Sequence, residues 1–113
     1  MLNKLKELYN QKLWHINIIN TIWFVLGIAI VFKGFKAPHH FHEEPERYYI
    51  IYGKGKMLLN NDIKIQNAPK IIDIPSNVVH AMTPLSNIVI LFYTFPKGYF
   101  ENIKYNYKSE YLI

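Results

Sequence analysis

Residues 34–53 read GFKAPHHFHEEPERYYIIYG, and three of the chain's five histidines, His39, His40 and His42, stand within four positions of this stretch. Pro38 pushes the residue before it away from helix, so the histidines are expected on extended backbone. Side chains alternate along a strand, which puts His40 and His42 on one face and His39 and Phe41 on the other. Two imidazoles one strand repeat apart can grip a single cation. Glu46 follows a short turn at Glu43-Glu44-Pro45 and can return a carboxylate to the same spot. A fourth donor has to come from a distant segment, and His80, in IPSNVVHAM (residues 74–82), is the natural candidate. Three His and one Glu form a nitrogen and oxygen site that suits Fe(II), Mn, Ni, Co or Zn and leaves coordination positions open for a substrate. The chain has no cysteine, which excludes disulfides, thiolate metal sites and cysteine nucleophiles.

Outward from this stretch the chain reads as short strands divided by turns. Tyr48–Tyr52, Lys56–Leu59, Ile63–Ile65, Ile71–Ile74, Val78–Met82 and Ile88–Phe95 are strand candidates, punctuated by Pro69, Pro75, Pro84 and Pro96. Asn60-Asn61-Asp62 tolerate the backbone of a tight hairpin turn. Many short strands at regular spacing indicate an all-β sandwich or barrel. The run Ile22–Phe32, β-branched and interrupted by Gly27, reads as one or two buried strands. Its apolar residues Phe24, Leu26 and Ile28 are expected in the core, with Val89, Leu91 and Tyr93. Leu5, Tyr9 and Leu13 recur at helical spacing, so a short amphipathic N-terminal helix is expected over 1–13. The expected organisation is that helix, one barrel over 14–105 and a tail over 106–113, because 113 residues make a single domain.

The net charge of +5 comes from twelve scattered lysines and a single arginine against 8 acidic residues. No block of like charge forms a nucleic-acid footprint, so no nucleic-acid partner is expected. Asn17, Asn20 and Thr21 interrupt the apolar stretch that begins at Ile16. A spanning helix needs about 20 apolar residues, and no small-residue cleavage site follows. The expectation is a cytoplasmic protein with no membrane segment.

The spacing Gly34-x5-His40-x-His42-x3-Glu46-x6-Gly53 resembles the first cupin motif at every defined position. Residues 69–84 resemble the second, with Pro75 and His80 in place. There Pro69 and Asn77 stand where the family usually has Gly, and Pro84 stands where it often has Asn. Asn77 tolerates left-handed backbone, whereas Pro69 cannot adopt positive φ and implies an altered turn. The resemblance covers about residues 14–105. It implies a small jelly-roll β-barrel holding one divalent transition metal on His40, His42, Glu46 and His80, commonly as a homodimer. It further implies a small-molecule ligand and lyase, isomerase or dioxygenase chemistry.

If Glu46 points inward, parity carries Tyr48, Ile50 and Tyr52 inward and Arg47, Tyr49 and Ile51 outward. Tyr48 then lies on the order of 7 Å along the strand from a ligand. It can donate to a bound anion or act as a base, and is the candidate catalytic residue; packing the barrel is its other reading. Met82 shares the parity of His80 and is expected to line the pocket. His39, Glu43 and Glu44 are expected in solvent, and His15 has no assigned role. The aromatic tail, Tyr99, Phe100, Tyr105, Tyr107 and Tyr111, is expected to place some rings at a subunit interface. Glu46-x-Tyr48 and the segment Phe95–Tyr105 are also similar to the dimethylsulfoniopropionate lyases. In that branch the resemblance implies a metal-bound substrate carboxylate and a tyrosine that removes the α-proton. Two other functions fit the same residues: a non-catalytic module binding a metabolite or sugar, and a metal-free sugar-nucleotide isomerase or epimerase.

Overall fold

The computed structural model describes residues 12–107 and resolves them into ten strands. They are β1 (Leu13–Asn20), β2 (Val25–Phe32), β3 (His40–Phe41), β4 (Glu46–Tyr52), β5 (Lys54–Leu59), β6 (Asp62–Asn67), β7 (Lys70–Ile74), β8 (His80–Pro84), β9 (Ile88–Phe95) and β10 (Asn106–Tyr107). Among the described residues one 3₁₀ turn, Phe100–Asn102, precedes β10. The strands form two five-stranded antiparallel sheets, in the orders β1-β2-β9-β4-β7 and β10-β3-β8-β5-β6. The fold is the all-β jelly roll expected from the spacing of strands and turns. The helix expected over 1–13 falls mainly outside the described residues, and Leu13 belongs to β1.

The core lies between the sheets. Val25, Val31, Ile50, Ile72, Ile74, Val89, Leu91 and Phe95 fill it from the first sheet and Met57 and Met82 from the second. The turns carry the residues their backbones require. Asn60 takes φ 54° at the tip of the β5–β6 hairpin. Gly53 sits at φ +96°, where a side chain would also run into the Ile88 carbonyl and the Ser86 hydroxyl. Gly34 is left-handed as well, at φ +95°.

Two parity readings are corrected. Val25, Ala29 and Val31 of β2 face the core, while Phe24 is exposed in the β1–β2 turn and Leu26 and Ile28 are only partly buried on the outer face. Both faces of this strand are apolar, so hydrophobicity gives the run no phase. In β4, Glu46 and Ile50 are buried as expected, but Tyr52 is 60% exposed. The register against β9 slips between Ile50 and Tyr52, and this irregularity turns Tyr52 outward.

A buried histidine and carboxylate cluster between the sheets

His40, His42 and His80 converge inside the barrel, with one ligating atom of each within 4.8 Å of the others, and all three are buried. Strand pairing accounts for the meeting. His40 opens β3 and lies directly opposite His80, the first residue of β8. The β5–β6 tip steadies the approach to His80, because Asn60 Oδ1 accepts from the Val79 amide and the Asn60 amide donates to the Val79 carbonyl. Asn77 takes φ 62°, and its amide donates to the His42 carbonyl at 2.8 Å. That bond ties the two histidine segments together at a position where the chain uses Asn for a left-handed turn.

The orientation of each ring is fixed from behind. His40 Nδ1 faces the Pro38 carbonyl at 2.9 Å, His42 Nδ1 the Glu44 carbonyl at 2.8 Å and His80 Nδ1 the Val78 carbonyl at 2.9 Å. A carbonyl only accepts, so every Nδ1 carries its proton and every Nε2 is left to ligate. Glu46, at the start of β4 in the other sheet, brings Oε1 to 3.1 Å from His42 Nε2 and 3.3 Å from His80 Nε2. The first contact is an aligned hydrogen bond. The second is close without alignment, and His80 Nε2 is buried with no hydrogen-bond partner.

The electrostatics follow from burial and charge. Burial pulls His40 down to about 3, with the neighbouring His80 adding to the effect, so His40 is a neutral imidazole at physiological pH. Burial alone would raise Glu46, but its hydrogen bond with His42 and the close approach of His80 outweigh it and hold the carboxyl at about 2. Burial also opposes charge on His42, and the Glu46 carboxylate overcomes it, leaving His42 above the ordinary histidine range.

These residues fit a divalent transition metal. The three histidines each bring a ligating atom within 4.8 Å of the others, Glu46 Oε1 lies beside two of them, each imidazole is oriented by a carbonyl behind it, and His80 Nε2 is buried without a hydrogen bond. His39 is half-buried and outside the convergent group.

His40 and Glu46 of the cluster line a cavity of about 90 Å³. Tyr48 and Met82 line it, as do Leu91 and Tyr93, which were expected only as core. The Tyr48 ring meets His80 edge-on at 6.4 Å between centroids. Sequence reading missed His15, which lines the cavity with Nδ1 3.1 Å from the Tyr93 hydroxyl, and Asn17, which accepts from that hydroxyl at 2.6 Å. The only local signal was polar residues alternating with Trp14, Ile16 and Ile18; their partner lies more than 70 positions away. The aromatic tail divides between wall, core and surface. Phe100 and Tyr105 turn into the cavity wall, Tyr107 packs on the core, Tyr99 is partly exposed, and Tyr111 lies outside the described residues. Glu44 is half-buried rather than solvated, and its carbonyl serves His42.

Comparison with solved structures establishes the fold as that of the cupins. An RmlC-like cupin family protein from Methanocaldococcus jannaschii, described as a double-stranded β-helix, superposes with TM-score 0.70 at 18% identity, over 77% of this chain and 82% of its own. The DMSP lyase DddQ from Ruegeria pomeroyi superposes with TM-score 0.74 at 16% identity, over 83% of this chain and 51% of its own, so this chain spans about half of that enzyme. The polyketide cyclase RemF from Streptomyces resistomycificus gives TM-score 0.73 at 20% identity, over 90% of this chain and 76% of its own. No family model and no curated protein sequence matches the chain. Among the described residues no helix is long and apolar enough to cross a membrane.

Proposed function

We propose that the protein is a mononuclear metal-dependent enzyme acting on a small metabolite that bears a carboxylate or hydroxyl group. His40, His42, His80 and Glu46 hold the ion. The observation that carries this reading is the set of three buried, carbonyl-oriented imidazoles with their ligating atoms within 4.8 Å of one another, His80 Nε2 making no hydrogen bond. A bound divalent ion supplies a Lewis acid for a substrate oxygen. Tyr48, on the cavity wall beside His80, donates to the developing anion as a phenol or, as a tyrosinate beside the cation, takes up a proton from the substrate. The apolar walls exclude water and limit the substrate to a few heavy atoms. That solved cupins of similar fold include a DMSP lyase and a polyketide cyclase supports enzymatic use of such a barrel.

Elemental analysis of protein purified without added metal tests the reading. About one equivalent of transition metal per chain is expected, lost in His40→Ala and His42→Ala. Absence of metal from the native protein, even after dialysis against Mn, Fe, Co, Ni or Zn, overturns it. Tyr48→Phe is expected to retain the metal and lose turnover once a substrate is in hand.

A further inference from the structure

Besides His40 and Glu46, the cavity wall holds a second polar group. One row of residues on the inner face of the first sheet runs Asn17, Gly27, Tyr93, Tyr48, Ile72, each pair directly opposite in the strand register. Tyr93 leans over Gly27, where any Cβ would collide with its ring, and so reaches β1. There its hydroxyl donates to Asn17 Oδ1 at 2.6 Å and lies 3.1 Å from His15 Nδ1. The amide oxygen can only accept, so the phenol's single proton is committed to Asn17 and His15 Nδ1 donates to the phenol oxygen. A phenol oxygen has two lone pairs, and one of them remains for a donor in the cavity. Around it the wall is apolar, with Leu13, Ala29, Val31 and Phe100.

From this arrangement we infer that the ligand is bifunctional: an oxygen anion at the His40–His42–His80–Glu46 end and a hydroxyl or N–H that donates to Tyr93 at the other. Tyr93 is then a specificity-determining residue. The inference rests on reading the histidine cluster as a cation site, and it narrows the substrate to short hydroxy- or amino-acids rather than simple carboxylates. A site built to pair a polar group rejects an analogue that lacks it, because its own buried polar atom is left unpaired.

Calorimetry on the zinc-loaded protein tests this with matched probes: glycolate, 3-hydroxypropionate and 4-hydroxybutyrate against acetate, propionate and butyrate. At least one hydroxylated member is expected to bind ten-fold or more tightly than its partner. In Tyr93→Phe that preference should vanish while zinc content stays unchanged, a selective loss that a purely structural tyrosine would not produce. Zinc bound with no hydroxyl preference in any pair overturns the second pole alone, as does a preference that survives Tyr93→Phe. Failure of the wild type to retain zinc overturns the cation site itself.

Discussion

Asn77 shows how one side chain reconciles a backbone demand with a site. Its left-handed φ of 62° aims its amide at the His42 carbonyl, and it is exposed, so its side chain contributes little packing. Left-handed backbone costs an ordinary L-residue about 1–2 kcal/mol, and Asn and Gly are the residues that escape most of it. Asn77→Ala is therefore expected to lower stability by about 1–2 kcal/mol, and Asn77→Gly to change it far less. Urea unfolding of the two variants checks the contrast. Equal losses would mean that the Asn77 side chain, not its backbone, supports the turn. At this scale the sequence was readable. The spacing of His40, His42, Glu46 and His80, and an Asn in a glycine position, are local facts that survive without coordinates. His15 and Asn17 were not readable, because neither has a local partner that betrays a role. Their meaning comes from Tyr93, 78 and 76 residues away.

The strands were legible where turn residues bound them and illegible where both faces are apolar. The β5–β6 hairpin sits where Asn60-Asn61 placed it, and β9 spans the expected Ile88–Phe95. In β2, hydrophobicity could not distinguish Val25, Ala29 and Val31 from Leu26, Ile28 and Ile30. A physical constraint selects the phase: Gly27 must face inward, since the Tyr93 ring occupies the space its side chain would need. The three strands β1, β2 and β9 are thus locked by one small-for-large pairing. Gly27→Ala is expected to cost about 1–3 kcal/mol from overpacking, and to displace Tyr93 from Asn17 and His15. Combined with Tyr93→Ala, which clears the space, the added methyl should cost far less. A double-mutant cycle by denaturant unfolding measures this coupling, and strict additivity would show that Gly27 does not accommodate the ring.

The whole molecule is two sheets joined mainly by an apolar core, and the proposed metal centre would add a bond across that seam. Its histidines come from β3 and β8 and the segment just after β3, all on the second sheet's side, while Glu46 begins β4 of the first. An ion held by all four would couple the sheets directly. It would bind the folded chain far more tightly than the unfolded one, because His80 stands 34 positions or more from the other three ligands. Ligand binding confined to the native state stabilises by mass action, about 2.7 kcal/mol at a hundred-fold excess over Kd. For a domain of this size that corresponds to a rise in Tm of roughly 10 °C or more. Thermal melts of chelator-treated protein with and without added zinc should show this rise. Glu46→Gln offers the sharper control. It keeps the hydrogen-bonding shape but removes the carboxylate charge, so it should bind zinc more weakly and recover only part of the shift. If Glu46→Gln recovered the full shift, the ion would be held by the three histidines of one sheet alone, and the seam would owe nothing to it.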